Sequence, residues 1–309
     1  MKPKKAIKGV ILSVVFLSVI FLGLQKAWEL AKDRSFLGNI SGSAEIVQPE
    51  AKEEPRPSLP YRNWNIPELD LAAESGLVVE TSFSGSDKIL FNKNCHTKLP
   101  IASLTKLMTA VISFENYDLS KTIKVSEEAV LQDGEFGKIE LNKEVTVNDL
   151  LYIMLIQSSN HAAFILSEGM EGFEFVRLMN EKARELEMDG TFFVEPTGLS
   201  AENVSTASDL VKLAKYILAN HPKISEISRI KEYDLPGYGV LTNTDDLLEE
   251  IPEIIAGKTG FTLEAKGCLL LLLDNSEKNS FLINVVLGAD DRFEEMKKMI
   301  EWVNTAYNW

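Results

Sequence analysis

The fold of this chain is indicated by two strongly apolar stretches near its end, Leu269-Leu-Leu-Leu-Leu273 and Phe281-Leu-Ile-Asn-Val-Val-Leu287. Each is a short apolar run, and a polar segment separates them, which is typical of buried neighbouring strands. A second strand pair is predicted near the start of the folded region, because strand-like runs at residues 76–83 and 88–92 flank a Ser-Gly-Ser-Asp turn.

Helical patterns fill the sequence between these strand pairs. From Ile101 onward, apolar residues recur at three-to-four spacing, which predicts an amphipathic helix with Ser103 at its beginning. Further helices are predicted at about 147–157, 160–169, 172–187, 206–220 and 290–306. The order strands, helices, strands, helix predicts an α+β fold in which an antiparallel sheet, assembled from both chain ends, packs with a helical cluster.

Composition excludes several classes of function. The chain has 309 residues, 45% of them apolar, which suffices for a packed core. Its net charge is −14, and since residues 1–34 hold seven basic and two acidic side chains, residues 35–309 carry −19. A body this acidic repels phosphate backbones, so no nucleic-acid partner is expected.

Cysteine and histidine usage gives no metal signal. Cys95 and Cys268 form no Cys-x-x-Cys pair, and His96, His161 and His221 are scattered. We therefore expect no metal site and no cofactor. Two buried free thiols are the favoured reading of the cysteines, and a long-range disulfide between them stays open.

The amino terminus predicts export. Four lysines within residues 1–8 precede an uncharged apolar run at 9–24, and good cleavage positions do not follow it. We expect residues 1–34 to be a basic cytoplasmic end and a single membrane anchor, with the rest of the chain outside the bacterial cytoplasmic membrane; cleavage and secretion is the alternative. Residues 35–63 are predicted to be a flexible acidic and proline-containing linker, or else an ordered arm, and residues 64–309 to be the folded domain.

A serine and a lysine lie three residues apart at the start of the first predicted helix, in Ser103-Leu-Thr-Lys106. This spacing places both side chains on one helical face. A serine hydroxyl needs a neighbouring base to act as a nucleophile, and the apolar residues around Lys106 would disfavour its charged form. The spacing alone is weak, because Ser228 and Lys231 repeat it.

Two further motifs carry chemistry. Ser158-Ser-Asn160 offers a second hydroxyl for proton relay and an amide for a substrate, although alone it also fits a helix cap. Lys258-Thr-Gly260 offers a cation, a hydroxyl and close backbone approach, which suits a carboxylate at a strand edge. A phosphate-binding loop at the same place would need glycine where Pro252 stands.

The three motifs, in the order Ser-x-x-Lys, Ser-x-Asn and Lys-Thr-Gly, form the signature set of penicillin-interacting enzymes. Over roughly residues 70–309 the chain resembles the D-alanyl-D-alanine carboxypeptidases, the low-molecular-mass penicillin-binding proteins. The resemblance also rests on Pro100-Ile-Ala-Ser-Leu-Thr-Lys-Leu-Met-Thr109, Glu195-Pro-Thr-Gly-Leu199, Ser205-Thr-Ala-Ser-Asp-Leu210, Asn243-Thr-Asp-Asp-Leu-Leu248 and Gly257-Lys-Thr-Gly-Phe-Thr-Leu-Glu-Ala265.

This resemblance implies a DD-peptidase-like fold and a membrane-anchored serine enzyme. Such an enzyme removes the terminal D-alanine from peptidoglycan stem peptides ending in D-Ala-D-Ala, and β-lactam antibiotics acylate it. The implied catalytic residues are Ser103 as nucleophile, Lys106 as general base and Ser158 as proton relay. The implied substrate-binding residues are Asn160, Lys258, Thr259, Gly260 and Phe261. The backbone N–H groups of Ser103 and Phe261 would form the oxyanion hole.

Two positions depart from the family pattern. Glu195 stands where asparagine is usual, and His161 stands where aspartate is usual. Because Glu195 lies near the place of the deacylating glutamate of class A β-lactamases, a class A-like β-lactamase stays an alternative. A noncatalytic cell-wall binding protein with the same fold is another.

Overall fold

The computed structural model describes residues 60–82, 87–134, 139–170, 172–275 and 280–309. The strands within these residues are β1 (Tyr61–Arg62), β2 (Ser75–Ser82), β3 (Asp87–Lys93), β4 (Leu99–Pro100), β5 (Thr122–Lys124), β6 (Glu144–Thr146), β7 (Val204–Ser205), β8 (Glu232–Leu235), β9 (Gly239–Thr242), β10 (Ile254–Thr262), β11 (Lys266–Asn275), β12 (Ser280–Ala289) and β13 (Tyr307–Asn308). The α-helices are α1 (Thr105–Asn116), α2 (Glu127–Val130), α3 (Val147–Gln157), α4 (Asn160–Glu168), α5 (Gly172–Glu185), α6 (Ala207–Asn220), α7 (Pro222–Ser228) and α8 (Arg292–Ala306). Two 3-10 turns, Ala102–Leu104 and Asp246–Glu249, precede α1 and β10.

Five strands form an antiparallel sheet in the order β10-β11-β12-β2-β3. The two apolar stretches lie side by side in β11 and β12, where Leu269 pairs with Val286 and Leu273 with Leu282. Strand β2, from the other end of the folded region, pairs with β12. The predicted α+β class and the antiparallel sheet assembled from both chain ends are therefore confirmed.

Both faces of this sheet are covered, which explains why β11 is apolar throughout. Leu270 and Leu272 belong to a buried cluster with the central helices, whereas Leu269 and Leu271 belong to a second cluster with the closing helix α8. Alternate residues of a strand point to opposite faces, so a strand between two apolar layers needs apolar side chains at every position. The cysteines are free and buried, as favoured by the sequence.

The helices begin close to the predicted positions because polar side chains cap them. Thr146, Ser159 and Thr206 each accept a hydrogen bond from a backbone N–H of the first turn of α3, α4 and α6, respectively. The helix predicted from Ile101 differs in detail, because it opens as the 3-10 turn and becomes α-helical only at Thr105. The short helix α7 and the hairpin β8–β9 were not predicted.

The folded body begins before residue 64. Tyr61 and Arg62, which the sequence assigned to the linker, form β1 and pair with Tyr307 and Asn308 of β13. The guanidinium of Arg62 also lies 4.7 Å from the ring centre of Trp302. The partner strand is far away in sequence, so local composition could not reveal this pairing.

The predictions for residues 1–59, which include the membrane anchor and most of the linker, lie outside the described residues. Among the helices that the structure describes, none combines the length and apolarity needed to cross a membrane.

Candidate active site

Ser103 lies in the 3-10 turn directly before α1. Its neighbour Ala102 has φ +46°, in the left-handed region that non-glycine residues rarely adopt. Gly198 packs so closely against this turn that a Cβ atom at Gly198 would lie 1.9 Å from the carbonyl oxygen of Ala102. The loop around Gly198 therefore packs against the turn that carries Ser103, where Ala102 adopts a strained backbone conformation of the kind that clusters at active sites.

Lys106 is fully buried in the first turn of α1 and reaches back to Ser103. Its Nζ lies 2.9 Å from Ser103 Oγ, 2.6 Å from Asn160 Oδ1 and 2.6 Å from the carbonyl oxygen of Thr197. Burial lowers the pKa of Lys106 well below its ordinary value, and the nearby charge of Lys258 lowers it further, whereas Glu195 acts in the opposite direction. The surroundings of Lys106 thus favour a neutral amine.

A neutral amine fits these three contacts well. It has two N–H donors and one lone pair, whereas Asn160 Oδ1 and the carbonyl oxygen of Thr197 can only accept hydrogen bonds. When Lys106 is neutral, these two oxygens can take both of its N–H groups, which leaves the lone pair for the third direction, toward Ser103 Oγ. In that state the hydroxyl of Ser103 donates to Lys106, and the amine can take its proton.

Ser158, Ser159 and Asn160 form the junction between α3 and α4. Ser158 adopts a left-handed conformation, with φ +60° and ψ +29°, that ends α3, and Ser159 Oγ caps α4 by accepting from the N–H of Ala162. Asn160 accepts from Lys106 and donates from Nδ2 to the carbonyl oxygen of Asp133 at 2.6 Å. Asn160 therefore holds Lys106 in place, and its predicted contact with the substrate backbone stays a prediction.

Lys258 and Thr259 lie on β10, the edge strand beside this junction. Lys258 is buried, and its Nζ donates to Ser158 Oγ at 2.7 Å and to the carbonyl oxygen of Thr259 at 3.1 Å. Burial lowers the pKa of Lys258 to about 7, while the carboxylate of Asp245 opposes that change. The hydroxyl of Thr259 hydrogen-bonds that of Thr244 at 2.5 Å.

Gly260 and Phe261 connect β10 to the serine. A Cβ atom at Gly260 would lie 3.0 Å from the backbone N of Ser103 and 3.1 Å from Ala102 Cβ, so glycine lets the strand pass close beside the serine turn. The side chain of Phe261 is 58% exposed. The edge strand, Ser103 and the Ser158–Asn160 junction thus border one cleft.

The carboxylate of Glu195 is engaged within its own loop. It accepts from the N–H and hydroxyl of Thr197, at 2.6 and 2.5 Å, and from the N–H of Gly198 at 2.7 Å. The side chain of Asn203 also donates to it at 2.8 Å. Glu195 therefore fixes the loop whose Thr197 carbonyl binds Lys106 and whose Gly198 presses on Ala102.

Most of the predicted site residues are brought together, and a few contributors were missed. Direct hydrogen bonds link Ser103, Lys106 and Asn160, and another links Ser158 with Lys258. The carbonyl group of Thr197 was missed because every residue has a backbone carbonyl, so the residue type does not indicate this contact. At the other departure from the family pattern, His161 contacts the carbonyl oxygen of Gln132 through Nε2 at 2.8 Å. Among the described residues, no three His, Cys, Asp or Glu side chains converge as metal ligands.

These features are those of the serine peptidases that bind penicillin. The chain has an antiparallel sheet with a helical cluster, a Ser-x-x-Lys motif at a helix start and a Lys-Thr-Gly motif on the edge strand. Within that class, the sequence pattern of the D-alanyl-D-alanine carboxypeptidase family, peptidase S11, matches residues 63–291. The chain belongs to this family, and the predicted resemblance is confirmed.

Similar proteins carry two different activity names. The chain is 32% identical over 269 residues to the D-alanyl-D-alanine endopeptidase of Pseudomonas aeruginosa, covering 83% of each protein. It is 32% identical over 254 residues to the D-alanyl-D-alanine carboxypeptidase DacF of Bacillus subtilis, covering 78% of this chain and 64% of that one. The family is thus shown, and the choice between the two activities is not made by these relatives.

Solved structures agree with the fold. Penicillin-binding protein D2 from Listeria monocytogenes, in a cefotaxime-bound form, is 29% identical with a TM-score of 0.69, covering 77% of this chain and 99% of that one. The D-alanyl-D-alanine carboxypeptidase from Mycobacterium tuberculosis, at 24% identity and a TM-score of 0.72, shares the fold over 80% of this chain and 96% of its own.

Proposed function

We propose that this protein is a serine-type D-Ala-D-Ala carboxypeptidase that removes the terminal D-alanine from peptidoglycan stem peptides through an acyl-enzyme on Ser103. The observation that carries this proposal is the hydrogen bonding of Lys106. Its Nζ lies within hydrogen-bond distance of Ser103 Oγ, and burial favours its neutral form, which can accept the proton of that hydroxyl while its two N–H groups donate to Asn160 and Thr197.

Acylation begins when Ser103 Oγ attacks the carbonyl carbon of the bond between the two D-alanines. The proton of Ser103 passes to Lys106 Nζ as the new C–O bond forms. The backbone N–H groups of Ser103 and Phe261 stabilise the oxyanion, each contributing about 3 kcal/mol as in comparable sites. Support for this geometry comes from Gly260, which lets β10 approach the backbone N of Ser103.

Breakdown of the tetrahedral intermediate breaks the C–N bond and needs a proton on the leaving amine. Ser158 Oγ delivers that proton and recovers one from the ammonium of Lys106. Lys258 and Thr259 hold the terminal carboxylate of the leaving D-alanine, and the remaining N–H of Asn160 contacts the substrate backbone. Water then attacks the acyl carbon with Lys106 as base, which releases the shortened peptide and restores Ser103.

The same chemistry accounts for acylation by β-lactams. A β-lactam presents a reactive amide beside a carboxylate, which matches the requirements of Ser103 and Lys258. The Listeria relative has forms with bound cefotaxime and bound ampicillin. We also propose that the apolar run at 9–24 anchors the chain in the cytoplasmic membrane, with residues 64–309 outside.

An endopeptidase that cuts D-Ala cross-links is a second candidate, because the Pseudomonas relative carries that name. It would use the same residues with a larger leaving group. A class A-like β-lactamase is less well supported, since the oxygens of Glu195 are occupied by loop N–H groups and are not free to activate water. A noncatalytic binding protein is also less well supported, because binding alone would not require a buried lysine beside Ser103.

The test follows the intact mass of the full-length protein with excess benzylpenicillin, and the release of D-alanine from a stem pentapeptide. Wild type should form a persistent adduct and release D-alanine, and Ser103→Ala should do neither while remaining folded. Ser200→Ala, a serine in the Glu195 loop, is the matched control and should keep both activities. Cleavage of a cross-linked dimer in preference to the pentapeptide would favour the endopeptidase. Fast antibiotic loss without an adduct would favour the β-lactamase.

A further inference from the structure

Asp245 is a buried carboxylate behind the edge strand β10. It is 4% exposed, and its Oδ1 accepts from the N–H of Leu247 at 3.1 Å, which caps the 3-10 turn before β10. Its Oδ2 is buried and has no hydrogen-bond partner within the described part of the chain. A buried carboxylate oxygen without a partner is costly and calls for a physical reason.

The position of this oxygen places it against the backbone next to Lys258. A Cβ atom at Gly257 would lie 3.0 Å from Asp245 Oδ2, so the glycine before Lys258 leaves room for the carboxylate. The preceding residue, Thr244, hydrogen-bonds Thr259 on the same strand. The Thr244–Asp245 segment therefore lies alongside the Gly257–Thr259 part of β10.

Lys258 lacks a direct counter-ion. In the described ranges its Nζ contacts a hydroxyl and a backbone carbonyl, and it forms no ion pair with a carboxylate. An isolated buried ammonium tends to lose its proton, and a nearby negative charge opposes this loss. Asp245 is the negative group that raises the pKa of Lys258, whereas burial and Arg292 lower it to about 7.

We propose that Asp245 is a positioning residue for Lys258, whose buried carboxylate keeps the ammonium charge that recognises the substrate carboxylate. The inference rests on the proposed function, because only a substrate with a terminal carboxylate needs this charge. Asp245 acts through space and touches neither the substrate nor the reacting atoms.

Other charged groups near Lys258 and Asp245 also shift the pKa values of these two residues. Arg292, at the start of α8, lowers the pKa of both Lys258 and Asp245, and its buried Nε also has no partner among the described residues. Asp246 raises the pKa of Asp245, and burial is the main reason that this pKa reaches about 6. On the active-site side, Lys258 interacts with Lys106, whose pKa it lowers. Asp291 and Cys268 raise the pKa of Arg292 and so act on Lys258 and Asp245 only indirectly.

The expected pH dependence follows from the direction of these shifts. The ammonium of Lys258 is present below its folded pKa of about 7 and is lost as the pH rises through that value. Removing the charge of Asp245 lowers that pKa further. In a variant without this charge, the acylation rate should therefore begin to fall at a lower pH than in wild type as the pH is raised.

The experiment measures the rate constant for acylation of the full-length protein by benzylpenicillin from about pH 5 to about pH 9. Asp245→Asn keeps an acceptor for the N–H of Leu247 and removes the charge. We expect the midpoint of its basic limb to fall by about one pH unit. Asp246→Asn is the matched control, since Asp246 is the adjacent exposed carboxylate, and its midpoint should move much less.

Two further readouts separate charge from structure. Asp245→Ala should shift the midpoint as Asp245→Asn does, with an added loss of folding stability from the missing cap. An NMR titration of the Lys258 side chain in the free, unacylated protein should show the same lowered pKa in both variants. Unchanged Lys258 titration in Asp245→Asn would overturn the inference. Wild type that forms no Ser103 adduct would instead refute the proposed function.

Discussion

Two buried lysines in one cleft differ in what surrounds them. Lys106 meets the amide oxygen of Asn160, the carbonyl oxygen of Thr197 and a hydroxyl, and its strongest charged neighbour is another lysine. Lys258 meets a hydroxyl and a carbonyl, and it has Asp245 behind its strand. Both side chains are almost fully buried, so burial alone does not distinguish them.

The difference lies in the charges nearby. Burial lowers the pKa of both lysines. At Lys106 the charge of Lys258 lowers the pKa more than Glu195 raises it, which suits a base, whereas at Lys258 the carboxylate of Asp245 has the larger charge effect and favours the cation. Because the charge of Lys258 lowers the pKa of Lys106, a cation at Lys258 disfavours a second cation at Lys106. In the proposed mechanism, one residue type thus supplies proton transfer through Lys106 and carboxylate recognition through Lys258.

The largest effect should come from removing the amine of Lys106. Lys106→Met keeps much of the side-chain volume but has no lone pair to accept the proton of Ser103. The rate constant for acylation by benzylpenicillin, followed by intact mass, should fall by about 10³-fold or more.

A matched control for this variant is Lys182→Met. Lys182 is also buried, but it pairs with Glu115 and Tyr216 away from the cleft. That variant should lose stability and keep the acylation rate of wild type. Equal loss of acylation in both variants would mean that Lys106 acts only through packing.

A smaller, substrate-dependent effect is expected from Lys258→Met. Loss of a charge-assisted hydrogen bond should lower kcat/KM by about 10²-fold for peptides with a free terminal carboxylate. Peptides with an amidated end should be affected much less. Lys266→Met, at the first residue of β11, serves as the control and should change neither. An equal loss on both kinds of peptide would contradict carboxylate recognition by Lys258.

The smallest effect on chemistry is expected from Glu195→Gln. Several N–H and O–H donors converge on this carboxylate, and an amide would face some of them with another donor. The free energy of unfolding in urea should fall by about 1–3 kcal/mol. The lifetime of the benzylpenicillin adduct should stay close to that of wild type.

Glu202→Gln, an exposed carboxylate in the same loop, should leave both quantities unchanged. The comparison also tests the β-lactamase alternative, in which Glu195 drives deacylation. Rapid antibiotic turnover by wild type that Glu195→Gln abolishes would establish that alternative.

Local patterns made much of the fold predictable. The apolar runs of β11 and β12 and the capped helices after Thr146, Ser159 and Thr206 depend on neighbouring residues, so their positions could be inferred from the sequence. The pairing of Tyr61 with Asn308 brings together two segments far apart in the sequence, which no local pattern encodes.

The site was predictable to the extent that it uses side chains in short motifs. Ser103 and Lys106 lie one helical turn apart, so their contact followed from spacing. The carbonyl group of Thr197 and the left-handed conformation of Ala102 are backbone features imposed by tertiary packing. Asp245 lies in the Asn243–Leu248 stretch that supports the family resemblance, but its burial behind Gly257 appears only in three dimensions.

The most direct test of the account is an NMR titration of the lysine side chains, with ¹³C at Cε, in the full-length protein. Lys106→Met and Lys258→Met assign the two buried signals by their disappearance. The account predicts that Lys106 titrates far below its ordinary pKa and that Lys258 titrates near pH 7. A Lys106 that remains an ammonium up to about pH 10 would contradict the account, because it could not accept the proton of Ser103.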